Sequence, residues 1–340
     1  MRRRSSHTGW VRAGLALGLL AAIAVTSCGG PFPQSALHPN SDFAWKLQDL
    51  FRGIFWWAVV VFVLVEGALL VAIIRFRARP GDPRPRAVHG NTILEISWTL
   101  APAVVLMLIA IPTIRTIWEV DRPPAGEAMV IEVVGHQWWW EFRYPEQDVV
   151  AANELHVPLG RTVNVRLTSA DVIHSFWFPR IGGKRDVIPG HETRIWFTAD
   201  SAGTYLGQCA EFCGLAHALM KMRLVVEPEA DFAAWVEANR AAAASPVGDL
   251  ATEGGRAFLA SGCMACHAVR GTAAAGTVGP DLTHVGSRGT IAAGVLENTP
   301  EAMARWLRDP QAVKPGAKMP NLGLDEARIE ALVAYLGGLR

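Results

Sequence analysis

The 340-residue sequence has almost no net charge, +1 with the histidines neutral. That balance favours neither nucleic acid nor an acidic substrate as a partner. Tyrosine is scarce, with three against thirteen tryptophans. Nine of the tryptophans (Trp10, Trp45, Trp56, Trp57, Trp98, Trp118, Trp138, Trp139, Trp140) precede residue 141. Several lie near the ends of apolar runs, where membrane-interface anchors belong. No histidine falls inside either long apolar run, 53–74 or 96–114, so neither can ligate a metal through imidazole within a bilayer. Cysteine is also limited: five residues, at 28, 209, 213, 263 and 266. One stands alone, one pair forms C-x3-C, and one pair forms C-x2-C followed by His. An odd count in an exported chain ordinarily marks a stray thiol. Here every cysteine falls in a segment with a chemical use of its own. That leaves none for a disulfide and no second C-x2-C for a zinc ribbon.

The apolar share, 51%, sits only slightly above the globular norm and is concentrated in the first third. Residues 1–27 read as a secretory signal: Arg2, Arg3, Arg4 and Arg12, then a short apolar run over 13–25. The run ends in Val25-Thr26-Ser27-Cys28, which resembles a bacterial lipoprotein signal and places a lipid on Cys28. Ordinary cleavage and an uncleaved anchor are the alternatives. The segment 28–118 then holds a transmembrane hairpin. The runs 53–74, with the single charge Glu66, and 96–114, with none, are each near the ~20 residues that cross hydrocarbon. Pro102 and Pro112 are tolerable in a membrane helix whose neighbours satisfy the freed carbonyls. The connection carries Arg75, Arg77, Arg79, Arg84 and Arg86. Positive loops stay in the cytoplasm, so everything after about residue 115 is expected on the outer face.

From 127 to 228 the pattern changes to short alternating segments, MVIEVVGHQWWWEFRY, NELHVPLGRTVNVRLTS, HETRIWFTA and MKMRLVVEP. These predict strands and a small β-sandwich. A linker is expected over 229–248, Ala-rich from 238. Residues 249–340 return to helix, in LATEGGRAFLASG before the second Cys pair and DEARIEALVAYLGGL at the end.

Two constellations carry chemistry. The first is Cys209-Ala-Glu-Phe-Cys213-Gly-Leu-Ala-His217-Ala-Leu-Met220. Thiolates, imidazole and thioether in one short loop suit copper better than zinc or calcium. A disulfide with unrelated core residues is the plain alternative. A thioredoxin-like copper chaperone is another, but it requires helices alternating with the strands. Met222 competes with Met220 on chemistry alone. The second constellation is Cys263-Met-Ala-Cys266-His267, the C-x-x-C-H signature of c-type haem attachment. Gly279-Pro280-Asp281-Leu282 and Lys318-Met319-Pro320 follow it.

Together these residues resemble subunit II of a haem–copper cytochrome c oxidase carrying a fused C-terminal cytochrome c, as in caa-type oxidases. The resemblance implies a multi-domain architecture of transmembrane hairpin, cupredoxin-like β-sandwich and all-α class I cytochrome c. It implies that Cys209 and Cys213 bridge two copper ions, the CuA centre. His174, about 35 residues upstream, and His217 would each ligate one, and Met220 and the main-chain carbonyl of Glu211 complete the set. The Glu211 side chain is implied in a magnesium site shared with subunit I. Gly135-His136-Gln137-Trp138-Trp139-Trp140 resembles the aromatic stretch beside CuA, which gives Trp138 the electron-accepting role; Trp139 and Trp140 are expected to pack the sandwich. The segment 179–190 resembles the one that follows the first CuA histidine. Glu95 stands where the family has a carboxylate at the inner mouth of a proton path. In the cytochrome region Cys263 and Cys266 bind haem covalently, His267 is one axial ligand and Met319 the other. Met303 is the rival, in a helical run.

The implied function is electron transfer from haem c to CuA and on to haem in subunit I, for reduction of O2 to water coupled to proton translocation. Oxygen chemistry lies on another chain. The implied partners are subunits I and III, a donor such as a cytochrome c or cytochrome bc complex, and membrane lipid. The implied location is the bacterial inner membrane, multi-pass, with the CuA and haem domains on the periplasmic face. An electron-accepting subunit of a nitric oxide reductase, a quinol oxidase subunit and a copper-binding assembly protein are the alternatives. A quinol oxidase subunit of this fold lacks CuA ligands. Fusing donor to acceptor gives an effective concentration on the order of millimolar.

Overall fold

The computed structural model describes residues 18–19, 32–78, 80–81, 83, 89–124 and 126–340. Cys28, nearly all of the signal region, and Arg79, Arg84 and Arg86 lie outside them. Two long helices open the described chain, α1 (Asp42–Arg75) and α2 (Thr92–Asp121). At 1.5 Å per residue they run about 51 and 45 Å, against a hydrocarbon core of about 30 Å. Hydropathy marks only the stretch that faces lipid, which is why 53–74 and 96–114 fall short of the helices at both ends. The starts are set by capping: the Ser41 hydroxyl accepts from the Ala44 amide, and the Asn91 side chain from Ile93 and Leu94.

The extra turns hold the hairpin to the next domain. Phe43 is buried and meets Trp196 edge-on at 5.6 Å. The Asp42 carboxylate accepts from the Thr198 amide at 2.8 Å, and the Trp196 indole donates to the Val120 carbonyl of α2 at 2.8 Å. One tryptophan thus ties the outer ends of both helices to the sandwich.

The sandwich has strands β1 (Met129–His136), β2 (Trp139–Tyr144), β3 (Val149–Ala152), β4 (Glu154–Pro158), β5 (Thr162–Ser169), β6 (His174–Trp177), β7 (Arg185–Val187), β8 (Thr193–Thr198), β9 (Gly203–Cys209) and β10 (Lys221–Glu227). They form sheets of order β3-β2-β1-β5-β8 and β4-β10-β9-β6-β7. Along β1 every second residue is buried, the period of a strand with one face on a core. Trp140, Phe142, Leu155, Phe176 and Leu224 fill the space between the sheets. The run 129–144, expected as strand, is a hairpin of two strands that turns at Gln137 and Trp138. Trp138 is thereby delivered to one end of the sandwich.

The expected linker begins as a helix, α3 (Glu229–Arg240). Its Phe232 and Val236, one turn apart, are buried in the sandwich core, and Trp235 stacks on His156 at 4.3 Å. The alanines around these anchors disguise them in sequence. Only 241–248 remain without regular structure.

The C-terminal domain comprises α4 (Asp249–Ala260), a short hairpin β11 (Thr290–Ile291) and β12 (Leu296–Glu297), α5 (Pro300–Arg308), α6 (Pro310–Val313) and α7 (Glu326–Gly338). α4 crosses α7 at Gly254, where a Cβ would lie 1.9 Å from the Ala331 carbonyl oxygen. Only glycine lets the two backbones approach so closely. Beside the crossing, Phe258 meets Tyr335 at 5.7 Å.

Candidate copper and haem sites

The thiol–imidazole site forms at the end of the sandwich, where β6 begins and β9 ends. Phe176 pairs with Cys209 across these neighbouring strands, which brings His174 and Cys209 onto one wall. The loop after β9 then returns through Cys213, a single turn of 3-10 helix at His217–Leu219, and Met220 immediately before β10. Cys209 Sγ lies 3.8 Å from Cys213 Sγ, 3.9 Å from His174 Nδ1 and 3.2 Å from the Glu211 carbonyl oxygen. Cys213 Sγ lies 3.6 Å from His217 Nδ1 and 3.8 Å from Met220 Sδ. All six groups expected at the copper site therefore converge. Met222, the rival of Met220, points into the sandwich core and is fully buried.

The electrostatics of the two sulfurs are those of a pair sharing one proton. The hydrogen bond from Cys213 pulls the Cys209 thiol well below the ordinary thiol range, against the opposing effect of burial. The same bond and burial push Cys213 up. Such a pair gives up its remaining proton when a cation binds between the sulfurs. Asp171 went unnoticed in the sequence. Its carboxylate sits 2.9 Å from His174 Nε2 and accepts from the Gln137 amide at 2.7 Å. That leaves Nδ1 turned toward Cys209, in the way outer partners orient metal-binding histidines. Burial raises the Asp171 pKa, but the His174 hydrogen bond and two backbone amides hold it below the carboxylate range. The D-x-x-H spacing was the available signal.

Trp138 joins this site to the second one. Its indole Nε1 donates to the Cys213 carbonyl at 3.0 Å, beside Gln137 Nε2 at 2.7 Å. Gly214, at φ +115°, would place a Cβ 3.0 Å from the Trp138 ring; glycine both supplies the turn and lets the indole lie against the loop. Trp140 packs the core as expected. Trp139 instead stacks on His136 at 4.2 Å and sits at the seam between domains with Ala152 and Ala293.

Across the seam, a cavity of about 230 Å³ is lined by Trp138 together with Cys263, Cys266, His267 and Met319. His267 Nδ1 donates to the Pro280 carbonyl at 2.8 Å, so Nε2 carries the free lone pair. Burial lowers the pKa of this imidazole, keeping it the neutral donor that a metal requires. The loop bearing Met319 is clasped by Gln311, whose Nε2 donates to the Ala317 and Met319 carbonyls at 2.6 and 3.0 Å. Met303 also lines the cavity, from within α5. The free thiols, the fixed tautomer and the apolar walls fit a covalently held haem. Lys314 also reaches this cavity. It is buried, its Nζ donates to the Trp138 carbonyl at 2.6 Å, and burial lowers its pKa to about 7. No local motif marks Lys314, since its partner lies 176 residues away.

Glu95 stands in the first turn of α2, and Glu211 keeps its side chain exposed beside the copper loop.

A membrane hairpin, a sandwich whose end gathers two thiols, two imidazoles and a thioether, and a C-x-x-C-H helical domain define a membrane-bound redox subunit with copper-type and cytochrome domains. Comparison with known proteins gives the same result. Residues 32–116 match the transmembrane domain and 146–228 the periplasmic domain of cytochrome c oxidase subunit II, and 251–340 match cytochrome c. The chain is 39% identical to cytochrome c oxidase subunit 2 of Alkalihalophilus pseudofirmus, over 93% of this chain and 94% of that one. It is 35% identical to the Bacillus subtilis subunit, over 94% and 96%. Among solved structures, the periplasmic domain of subunit II of cytochrome oxidase from Bradyrhizobium japonicum is 34% identical. It covers 34% of this chain and 97% of its own, with a TM-score of 0.33. The chain belongs to the cytochrome c oxidase subunit II family, and is a subunit of a haem–copper oxidase with a cytochrome c domain fused at its C-terminus.

Proposed function

We propose that this subunit passes electrons from haem c to a dinuclear CuA centre and on to haem in subunit I, where O2 is reduced to water with proton translocation. Cys209, Cys213, His174, His217, Met220 and the Glu211 carbonyl would hold the copper ions. Cys263 and Cys266 would hold the haem covalently, and His267 and Met319 would ligate its iron. Once bound, the two groups would supply one-electron carriers. The protein's part is to fix those atoms and keep water from them. The observation that carries the reading is the placement of Trp138, whose ring lines the haem cavity while its indole N–H holds the carbonyl of Cys213.

The exposed Glu211 carboxylate is available for a magnesium shared with subunit I. Glu95 takes up protons from the inner face; an ionisable residue at a membrane helix start is a functional candidate, and Glu95→Gln should slow turnover of the assembled oxidase. The chain resides in a bacterial inner membrane with its sandwich and cytochrome domains outside. A lipid on Cys28 adds a further anchor, subunit III joins the complex, and a cytochrome c or cytochrome bc complex supplies electrons. Flash reduction of the haem in the purified oxidase tests the main claim. Loss of the reduced-haem signal should match the appearance of reduced copper in time. Haem reoxidation with the copper spectrum unchanged would reject the route.

A further inference from the structure

The seam between the sandwich and the cytochrome domain is built unlike a chance contact between tethered domains. From the cytochrome side, the turn of the β11–β12 hairpin enters the sandwich. Its residues Ala292, Ala293 and Gly294 are all left-handed, at φ +55°, +61° and +73°. Two successive alanines in that region are disfavoured and persist only where surrounding structure over-determines them. The surroundings here belong to the other domain: Ala293 is buried against Trp139 and Ala152, and its carbonyl accepts from the Lys221 amide at 3.1 Å.

From the sandwich side comes Glu154, on β4. Its carboxylate is buried and accepts from the Gly289 amide at 3.0 Å and from the Thr290 amide and hydroxyl at 2.8 Å each. All three donors lie in the cytochrome domain. Lys314 reaches back the other way, 4% exposed, to the Trp138 carbonyl at 2.6 Å and the Ala292 carbonyl at 3.4 Å. The partners of Glu154 and Lys314 are backbone groups and one hydroxyl, whereas Arg223 with Glu297 and Lys318 with Asp171 form ion pairs across the same seam. A buried polar group that loses its hydrogen bonds without gaining water is penalised whether it is a carboxylate or an amine, so sliding along the seam is disfavoured and one register is enforced. The connection leaves little slack, because Ala243 donates to the Arg270 carbonyl at 3.0 Å and Arg270 to the Arg240 carbonyl at 2.7 Å.

We propose that Glu154 and Lys314 lock the cytochrome domain onto the copper domain, and that Lys314 is a positioning residue that keeps the haem cavity against Trp138. Electron transfer between the two centres then proceeds without waiting for a swinging domain. This rests on the haem-to-copper reading above.

The test compares the intact oxidase with a Lys314→Met/Glu154→Gln double variant, and separately with Ala293→Glu, which drives a charge into the Trp139 cluster. Hydrogen exchange at the Gly289 and Thr290 amides reports docking directly. Exchange there should speed up about tenfold or more in either variant. The flash-induced haem-to-copper rate should be indifferent to added glycerol in the parent. In the variants it should fall about tenfold, through lost positioning, and slow further with viscosity. Variants that keep both spectra, the parent's amide protection and its viscosity-independent rate would overturn the lock. A parent protein lacking either the haem or the copper spectrum would instead overturn the underlying reading.

Discussion

The two redox sites are assembled in different ways. At the proposed copper site the candidate ligand atoms stand within 4 Å of their neighbours, because β6 and β9 pair beside one another and the returning loop is short. At the haem site Cys263, Cys266, His267 and Met319 line the walls of an apolar cavity, brought there by a crossing of helices and a loop clasp. The first site is framed by paired strands that belong to the sandwich core. The second is framed by helices and loops around a cavity that borders most of the domain's apolar core. Loss of a ligand at the copper site should therefore remove metal without unfolding the sandwich, whereas at the haem site binding and fold should fail together.

The largest effects expected are on cofactor content. Cys213→Ser should abolish dinuclear copper, read by metal analysis, with the sandwich's circular dichroism and the haem spectrum unchanged. Cys263→Ala/Cys266→Ala should abolish covalent haem, read by mass spectrometry, and should lower the melting temperature of the helical domain while leaving the sandwich intact. If the helical domain melts unchanged without haem, the contrast between the sites is wrong.

Next comes scaffold damage. Trp140 is fully buried between the sheets, and Trp140→Ala should cost about 3–5 kcal/mol in denaturant unfolding. Asp171→Ala removes the partner of His174 Nε2 and should weaken copper binding about 10- to 100-fold, with the fold retained in a competitive chelator titration.

The smallest effect is a pH slope. Burial lowers Lys314 to about 7 from its ordinary 10.5. Between those values the unfolded chain carries a proton that the folded one lacks, so stability should rise with pH across that window. Lys314→Met should flatten the slope in unfolding curves taken from pH 7 to 10.

Much of the copper site was legible because its ligands are crowded into one loop. Cys209, Cys213, His217 and Met220 lie within a dozen residues, and only His174 comes from outside. The hairpin was legible from hydropathy, but its ends were not, since Ser41 and Asn91 start helices outside the apolar stretches. Helix α3 was hidden by its alanines. What stayed invisible has a common cause. Asp171, Glu154 and Lys314 act through partners that folding alone brings near: Lys314 and Trp138 are 176 residues apart, and Glu154 and Thr290 136 apart. No local pattern encodes such pairs.

Electron paramagnetic resonance of the oxidised, copper-loaded subunit, with metal and haem quantified on the same sample, tests the central claim most directly. The expected result is two coppers per covalent haem, with one unpaired electron's hyperfine splitting shared equally by both copper nuclei. A splitting from a single copper, or a Cys209–Cys213 disulfide in place of bound metal, would contradict it.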